Sequence, residues 1–181
     1  MVKMRPFAAF IRAIGPESHK VMPQLKLCAA CTVAGLHDVK SYIASGNLYF
    51  RSTKSAARSS AIVAKAIAGF GIDRDVFVRS LGELDDVISR NPFANAEAER
   101  PQLLVAQFFD HAFDENLVNE LISYVGQERI SVSTGVVYVD YAEGIGLSKI
   151  HPGVIEKHLK MRGTARNWNT ILKMRKLLGQ F

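Results

Sequence analysis

The stretch Val39-Lys40-Ser41-Tyr42-Ile43-Ala44-Ser45-Gly46-Asn47-Leu48-Tyr49-Phe50-Arg51 decides the reading of the fold. Residues 39–44 and 48–51 are strand-like runs, and Ser45-Gly46-Asn47 between them is a turn signal, so the segment is expected to form a hairpin. Working outward, residues 7–13 alternate like a strand and residues 22–34 carry a helical period. On the other side, the Ala-rich residues 55–70 predict a second helix and residues 75–79 a fourth strand. The order is βαββαβ. That is the ferredoxin-like pattern, an antiparallel sheet with helices on one face.

The pattern then restarts. After a short helix at 81–89, residues 91–101 are broken by Pro92 and Pro101 and read as a linker. Residues 103–109 predict a strand, 114–125 a helix capped by Asp114, and 129–133 with 136–141 a hairpin across Thr134-Gly135. Two helices are expected to follow in place of a final strand: one at 152–161, with Pro152 in its first turn, and one at 166–178. The fold class is therefore α+β, with a complete βαββαβ unit at 1–90, a linker at 91–101, and an incomplete ferredoxin-like unit at 102–181 that ends βαββ followed by the two helices. No residue-level repeat accompanies this recurrence of topology.

A chain of 181 residues with 48% apolar content can bury a proper core. It has no run of 18 apolar residues and no leader-like opening, so a cytoplasmic protein without membrane partners is expected. Cys28 and Cys31 have a spacing compatible with redox or metal chemistry. The reading preferred is a helix stripe of Leu25, Cys28, Ala29, Thr32 and Leu36, with Cys28 as a small core residue and no metal. Charge is uneven. Residues 91–148 hold two basic and nine acidic side chains, whereas 149–181 hold eight basic and one acidic, within an overall +6. Such a division marks either an anion-binding surface or two segments that attract each other.

Three constellations are candidates for function. The first is aromatic-x-Arg, repeated in Phe10-Ile11-Arg12, Tyr49-Phe50-Arg51 and Phe77-Val78-Arg79. Period 2 puts each aromatic with its Arg, and Tyr42 with them, on the face away from the helices, where bases stack in RNA-recognition domains. Phe10, Tyr42, Tyr49 and Phe77 are thus a possible stacking surface; the competing reading is that this face is covered by another part of the chain. The antiparallel order puts Arg51 and Arg79 at one sheet end and Arg12 at the other. The second is Gly144-Ile145-Gly146-Leu147-Ser148-Lys149, which could present backbone and side-chain donors to a phosphate or could be a turn needing positive φ twice. The third is Thr164-Ala165-Arg166-Asn167-Trp168-Asn169-Thr170, read as a helix start with Thr164 or Asn167 as cap and Trp168 in the apolar stripe. Arg166 in a first helical turn opposes the helix dipole, so a carboxylate or a bound anion is expected beside it.

The runs Tyr42–Asn47, Gly144–Lys149 and Thr164–Thr170, in this order, resemble the bacterial family catalogued as domain of unknown function 1697, over about residues 7–178. The resemblance implies two ferredoxin-like units and brings no reaction, cofactor or catalytic residue. In the family the first strand usually ends in Arg before a glycine-rich loop. Here Arg12-Ala13-Ile14-Gly15-Pro16-Glu17-Ser18-His19 keeps only Arg12 and Gly15 of it.

The donor-rich, acceptor-poor character of the three runs points to a binding module for an anionic ligand: a nucleotide, nucleic acid or phosphorylated small molecule. Arg12, Ser45, Asn47, Ser148, Lys149, Arg166 and Asn167 are the expected donors, and Trp168 or Tyr42 a stacking surface. One alternative is a small-molecule transferase or hydrolase using the same donors, for which only His151 and Glu143 lie nearby in sequence as acid or base. The other is an architectural or protein-interaction module with no ligand, in which the motifs serve only the fold.

Overall fold

The computed structural model describes residues 3–124 and 126–181. It is an α+β protein with two four-stranded antiparallel sheets and, among the described residues, eight α-helices. Two compact units result. One runs to Asp85 and takes in Lys173–Phe181; the other is Asp86–Leu172.

In the first unit β1 (Arg5–Ile11) is followed by α1 (Pro16–Val21), α2 (Gln24–Val33), β2 (His37–Tyr42), β3 (Asn47–Ser52), α3 (Ala56–Ala68) and β4 (Val76–Ser80), with sheet order β2-β3-β1-β4. The helix expected at 22–34 is α2, starting after Pro23 at its N-cap, and α1 before it is a further helix that the periodicity did not predict. The buried stripe of α2 also differs from the expected one: Leu27, Cys28 and Cys31 face the core, while Leu25 is 84% exposed and Ala29 and Thr32 lie outside. Burial pushes the Cys31 thiol up to about 12 and raises Cys28, so both stay protonated and behave as small apolar groups. Phe7, Ala9, Ile11, Leu48, Phe50 and Val78 point at the helices and build the core with Val63 and Ile67 of α3.

Along the rest of the chain α4 (Leu81–Ser89) and α5 (Ala94–Glu99) precede the second unit's β5 (Leu104–Phe108), α6 (Glu115–Ile122), β6 (Arg129–Ser133), β7 (Val136–Asp140), a 3-10 turn at Ile145–Leu147, α7 (Pro152–Leu159) and β8 (Thr164–Asn167), and α8 (Trp168–Leu178) comes last. The second unit's sheet order is β6-β7-β5-β8, matching the first unit strand for strand. The expectation of an incomplete second unit is therefore corrected. Thr164–Asn167 is a strand, paired antiparallel to β5 from Phe108↔Thr164 to Val105↔Asn167, and the last helix starts at Trp168 rather than residue 166. Asn167 does cap that helix: its Oδ1 accepts from the Thr170 amide at 3.0 Å.

The unit boundaries differ from 1–90, 91–101 and 102–181. The expected linker is largely α5, which belongs to the second unit, and the division falls within α4 and α8. The helix expected over 114–125 ends at Ile122, with Asp114 as its cap; residue 125 lies outside the described residues.

Candidate functional site

The β2–β3 connection is the most constrained piece of the first unit. Ile43 sits at φ 47 and Gly46 at φ 73. A positive φ is ordinary for glycine, but at a β-branched residue it is an outlier costing on the order of 1–2 kcal/mol. Gly46 is required twice over, since a Cβ there would lie 2.8 Å from Ile14 Cγ1 and 3.0 Å from the Ile11 carbonyl. The turn is pinned from three directions. The Ile11 amide donates to the Gly46 carbonyl at 2.8 Å, Asn47 Nδ2 to the Tyr42 carbonyl at 3.2 Å, and Gln24 Nε2 to the Ile43 carbonyl at 2.9 Å. Ser41 Oγ in turn donates to Gln24 Oε1 at 3.0 Å. His19 Nε2 lies 2.7 Å from the Ala44 carbonyl, a pure acceptor, so the ring proton in this contact is on Nε2.

A second strained connection abuts it. Ala13, just past β1, has φ 52; the Arg12 amide donates to the Asp75 carbonyl at 2.9 Å, and Arg74 Nε to the Ala13 carbonyl at 3.4 Å. The Ile11–Gly46 bond puts the backbone of Arg12 and that of Ser45 at the same sheet end, while Asn47, opposite Phe10, is buried with its amide donating to the Tyr42 carbonyl. Arg12 is half-buried and Ser45 exposed there. Beneath the turn is a cavity of about 10 Å³, lined by Ile14, His19, Met22, Gln24, Ile43 and Asn47 among others. It has room for roughly one water, so it can support the turn but cannot swallow a ligand.

The possible stacking surface lies on the helix-free face as the period requires, but it is not open. Phe10 and Phe77 are buried, at 0% and 4% exposure, which removes them as platforms for a base. Tyr49 and Tyr42 are half-buried under the end of the chain. The Phe181 ring is 5.9 Å from that of Tyr49, Arg51 stacks on Phe181 at 5.6 Å, and Lys173 lies 6.0 Å over Tyr42. The register does separate the arginines as expected: Arg51 pairs with Pro6 and Arg79 with Ala8, while Arg12 follows Ile11 at the other end.

The remaining expected donors are in the second unit. Ser148 Oγ accepts from the Ile150 amide at 3.0 Å, and Lys149 is exposed. Within the glycine run only Gly144 has positive φ, at 94, so a single conformational demand explains it rather than two. Arg166 belongs to a strand and not to a helical turn, which removes the dipole argument made for it. Its guanidinium donates to Thr164 Oγ1 and to the Ala165 carbonyl, both at 2.8 Å, and burial pushes its pKa down to about 10, leaving it charged at neutral pH. Trp168 is fully buried, its ring 6.3 Å from that of Tyr138, and its Nε1 has no hydrogen-bond partner among the described residues. Glu143 and His151, the acid-base candidates, are both exposed.

Sequence reading missed the polar centre of this unit. Asp140, fully buried, accepts from Arg100 Nη2 at 2.7 Å, Arg129 Nη2 at 2.7 Å and Arg129 Nε at 3.0 Å. Burial alone would raise its carboxyl, but the two guanidiniums outweigh it and hold the pKa below the usual carboxylate range. The available signal was an Asp at the end of an otherwise apolar strand. Among the described residues no group of three or more His, Cys, Asp or Glu could hold a metal ion, and no helix is long and apolar enough to cross a membrane.

Comparison with known proteins adds the lineage. A solved structure described as conserved bacterial protein SP0830 from Streptococcus pneumoniae is similar at TM-score 0.75 and 20% identity, covering 98% of this chain and 99% of that one. At that identity the likeness is one of fold. No curated protein matches the sequence. The model of the family described as protein of unknown function (DUF1697) matches residues 4–138, and on that match this chain belongs to the family.

Proposed function

We propose that the protein is a binding module for a phosphate-bearing ligand (a nucleotide, nucleic acid or phosphorylated metabolite), and that each of its units is ferredoxin-like, with β1 to β4 and β5 to β8 as the two βαββαβ repeats. One observation carries the functional reading. Arg12 and Ser45 flank the Ile11–Gly46 backbone bond at one sheet end, where the two adjoining connections hold Ala13 and Ile43 at positive φ. Strain of this kind, on the order of 1–3 kcal/mol per residue, persists where a geometry is needed for its own sake. Arg12 supplies a permanent cation with a donor fork suited to phosphate, and Ser45 a hydroxyl on the exposed side of the turn.

The second unit's motif is read as architecture instead. Asn167 caps α8, Trp168 fills the core and Arg166 bonds within its own strand. A thermal-shift series with inorganic phosphate, ribose 5-phosphate, AMP and short single-stranded RNA, at low and high salt, tests the reading. A rise in Tm that is lost in Arg12→Ala and kept in Lys149→Ala supports it. No rise with any of the four, or a rise lost only in Lys149→Ala, refutes it.

A further inference from the structure

β6 is an edge strand of the second unit's sheet, bonded to β7 on one side and to no strand on the other. Which of its backbone groups face outward follows from the bonds of β7. The Gly135 carbonyl accepts from the Phe109 amide and the Tyr141 amide donates to the Leu103 carbonyl, so the odd-numbered residues of β7 bond towards β5 and the even-numbered ones towards β6. In register, Val136, Tyr138 and Asp140 engage Ser133, Ser131 and Arg129. The amides and carbonyls of Ile130 and Val132 therefore point away from the sheet, and among the described residues none of them has a hydrogen-bond partner.

The matching edge of the first unit is built differently. β2 is broken by a register shift between His37 and Lys40, holds Asp38 in the left-handed region at φ 51, and carries Lys40. Those are the devices by which an edge is closed to pairing. β6 runs through Arg129-Ile130-Ser131-Val132-Ser133 in unbroken register, with no positive φ, no lysine and no proline. Its side chains also suit a copy of itself. Antiparallel pairing about a two-fold axis at Ser131 sets Ile130 of each copy opposite Val132 of the other, aliphatic against aliphatic, and engages every outward amide and carbonyl of both. In the same register Glu128 of one copy falls opposite Thr134 of the other, whose hydroxyl accepts from Arg90 at 3.2 Å, so each end of the ladder brings an acid towards a base.

We propose that β6 is a docking edge for a second copy of this chain, joined through the backbone of Ile130 and Val132 about a two-fold axis at Ser131 into one continuous sheet.

Sedimentation equilibrium of the full chain over a wide range of concentration tests this. A monomer–dimer equilibrium is expected. Val132→Pro removes an outward amide while leaving the β6–β7 ladder its bonds, and is expected to weaken the dimer by about tenfold or more. Ser131→Lys and Ser131→Glu each set like charges opposite one another at the axis and are expected to weaken self-association, whereas an equimolar mixture of the two recovers it. Opposite charges rescue only a residue that meets its own twin, so this recovery separates two-fold pairing from a loss of folding, and the urea midpoint of each variant reports folding independently. A chain that stays monomeric at every concentration, as it does if the edge takes a strand of a different protein, overturns the proposal. So does a dimer indifferent to Val132→Pro, or a charge mixture that associates no better than its components.

Discussion

The β2–β3 turn of the first unit and the β6–β7 turn of the second occupy the same point of the same topology. In each, a residue at or just past the end of the first strand donates its amide to the carbonyl of a positive-φ glycine at 2.8 Å: Ile11 to Gly46, and Phe109 to Gly135. There the likeness stops. Thr134-Gly135 is a two-residue hairpin with strain at neither flank, whereas residues 43–46 form a longer loop with Ile43 at positive φ, held by side chains of His19 and Gln24. The residue after that amide donor is Arg12 in one unit and Asp110 in the other. A tight hairpin suffices to make this fold, so the additional residues and strain of the first unit are what the proposed site is read from, and the second unit is its internal control.

Removing the second unit's largest core side chain should have the greatest effect on stability. Trp168→Ala is expected to cost about 3–5 kcal/mol, read as a loss of urea midpoint at unchanged m-value, because a fully buried indole leaves a cavity the surroundings cannot close. A much smaller loss would mean that the second unit is loosely packed and a poor control.

Next comes Asp140→Ala, at about 3 kcal/mol, which leaves Arg100 and Arg129 facing each other without their carboxylate. The pH dependence follows from the depressed carboxyl. Its folded pKa lies below the unfolded value, so its contribution is complete above the ordinary aspartate value of about 3.9 and is lost as pH falls through the folded pKa. Acid titration of stability should therefore flatten at its low end in the variant; an unchanged acid limb contradicts the assignment.

Gly46→Ala and Gly135→Ala sharpen the comparison directly. Both introduce a Cβ at positive φ, at about 1 kcal/mol or more each. At Gly46 the new atom also lies 2.8 Å from Ile14 and 3.0 Å from the Ile11 carbonyl, against 3.2 Å from the Phe109 carbonyl at Gly135. Denaturant melts should find Gly46→Ala the more damaging, and the reverse order would break the argument that the first turn is the tighter. The smallest effect is Ile43→Asn, expected to leave stability unchanged or raised by under about 1 kcal/mol, since asparagine tolerates the left-handed region.

Much of this architecture was legible in the sequence. The hairpins at 39–51 and 129–141 announced themselves through turn residues between alternating runs, and Asp114 is the cap its position suggested. What escaped was short or ambiguous. Thr164–Asn167 is a four-residue edge strand whose last residue doubles as a helix cap, so capping grammar concealed the ladder. The stripe of α2 was misphased because Leu25, a strong hydrophobe, stands outside the core that Leu27 and Cys31 fill. The candidate donors were legible in composition alone. Arg12, Ser45 and Asn47 could be named as donors, but that Arg12 and Ser45 share a sheet end depends on the register of β1 and β3, and Asn47 is buried and bonded to the Tyr42 carbonyl. The positive φ at Ile43 runs against the β preference of its side chain, so no local rule foretells it.

The most direct test of the site's location is an amide chemical-shift map of the full chain titrated with inorganic phosphate and then AMP. The account predicts that the largest perturbations fall on Arg12, Ala13 and residues 43–47, with residues 134–135 and 144–149 unmoved. Perturbations centred on 144–149, or spread evenly over the lysines of both units, would contradict it.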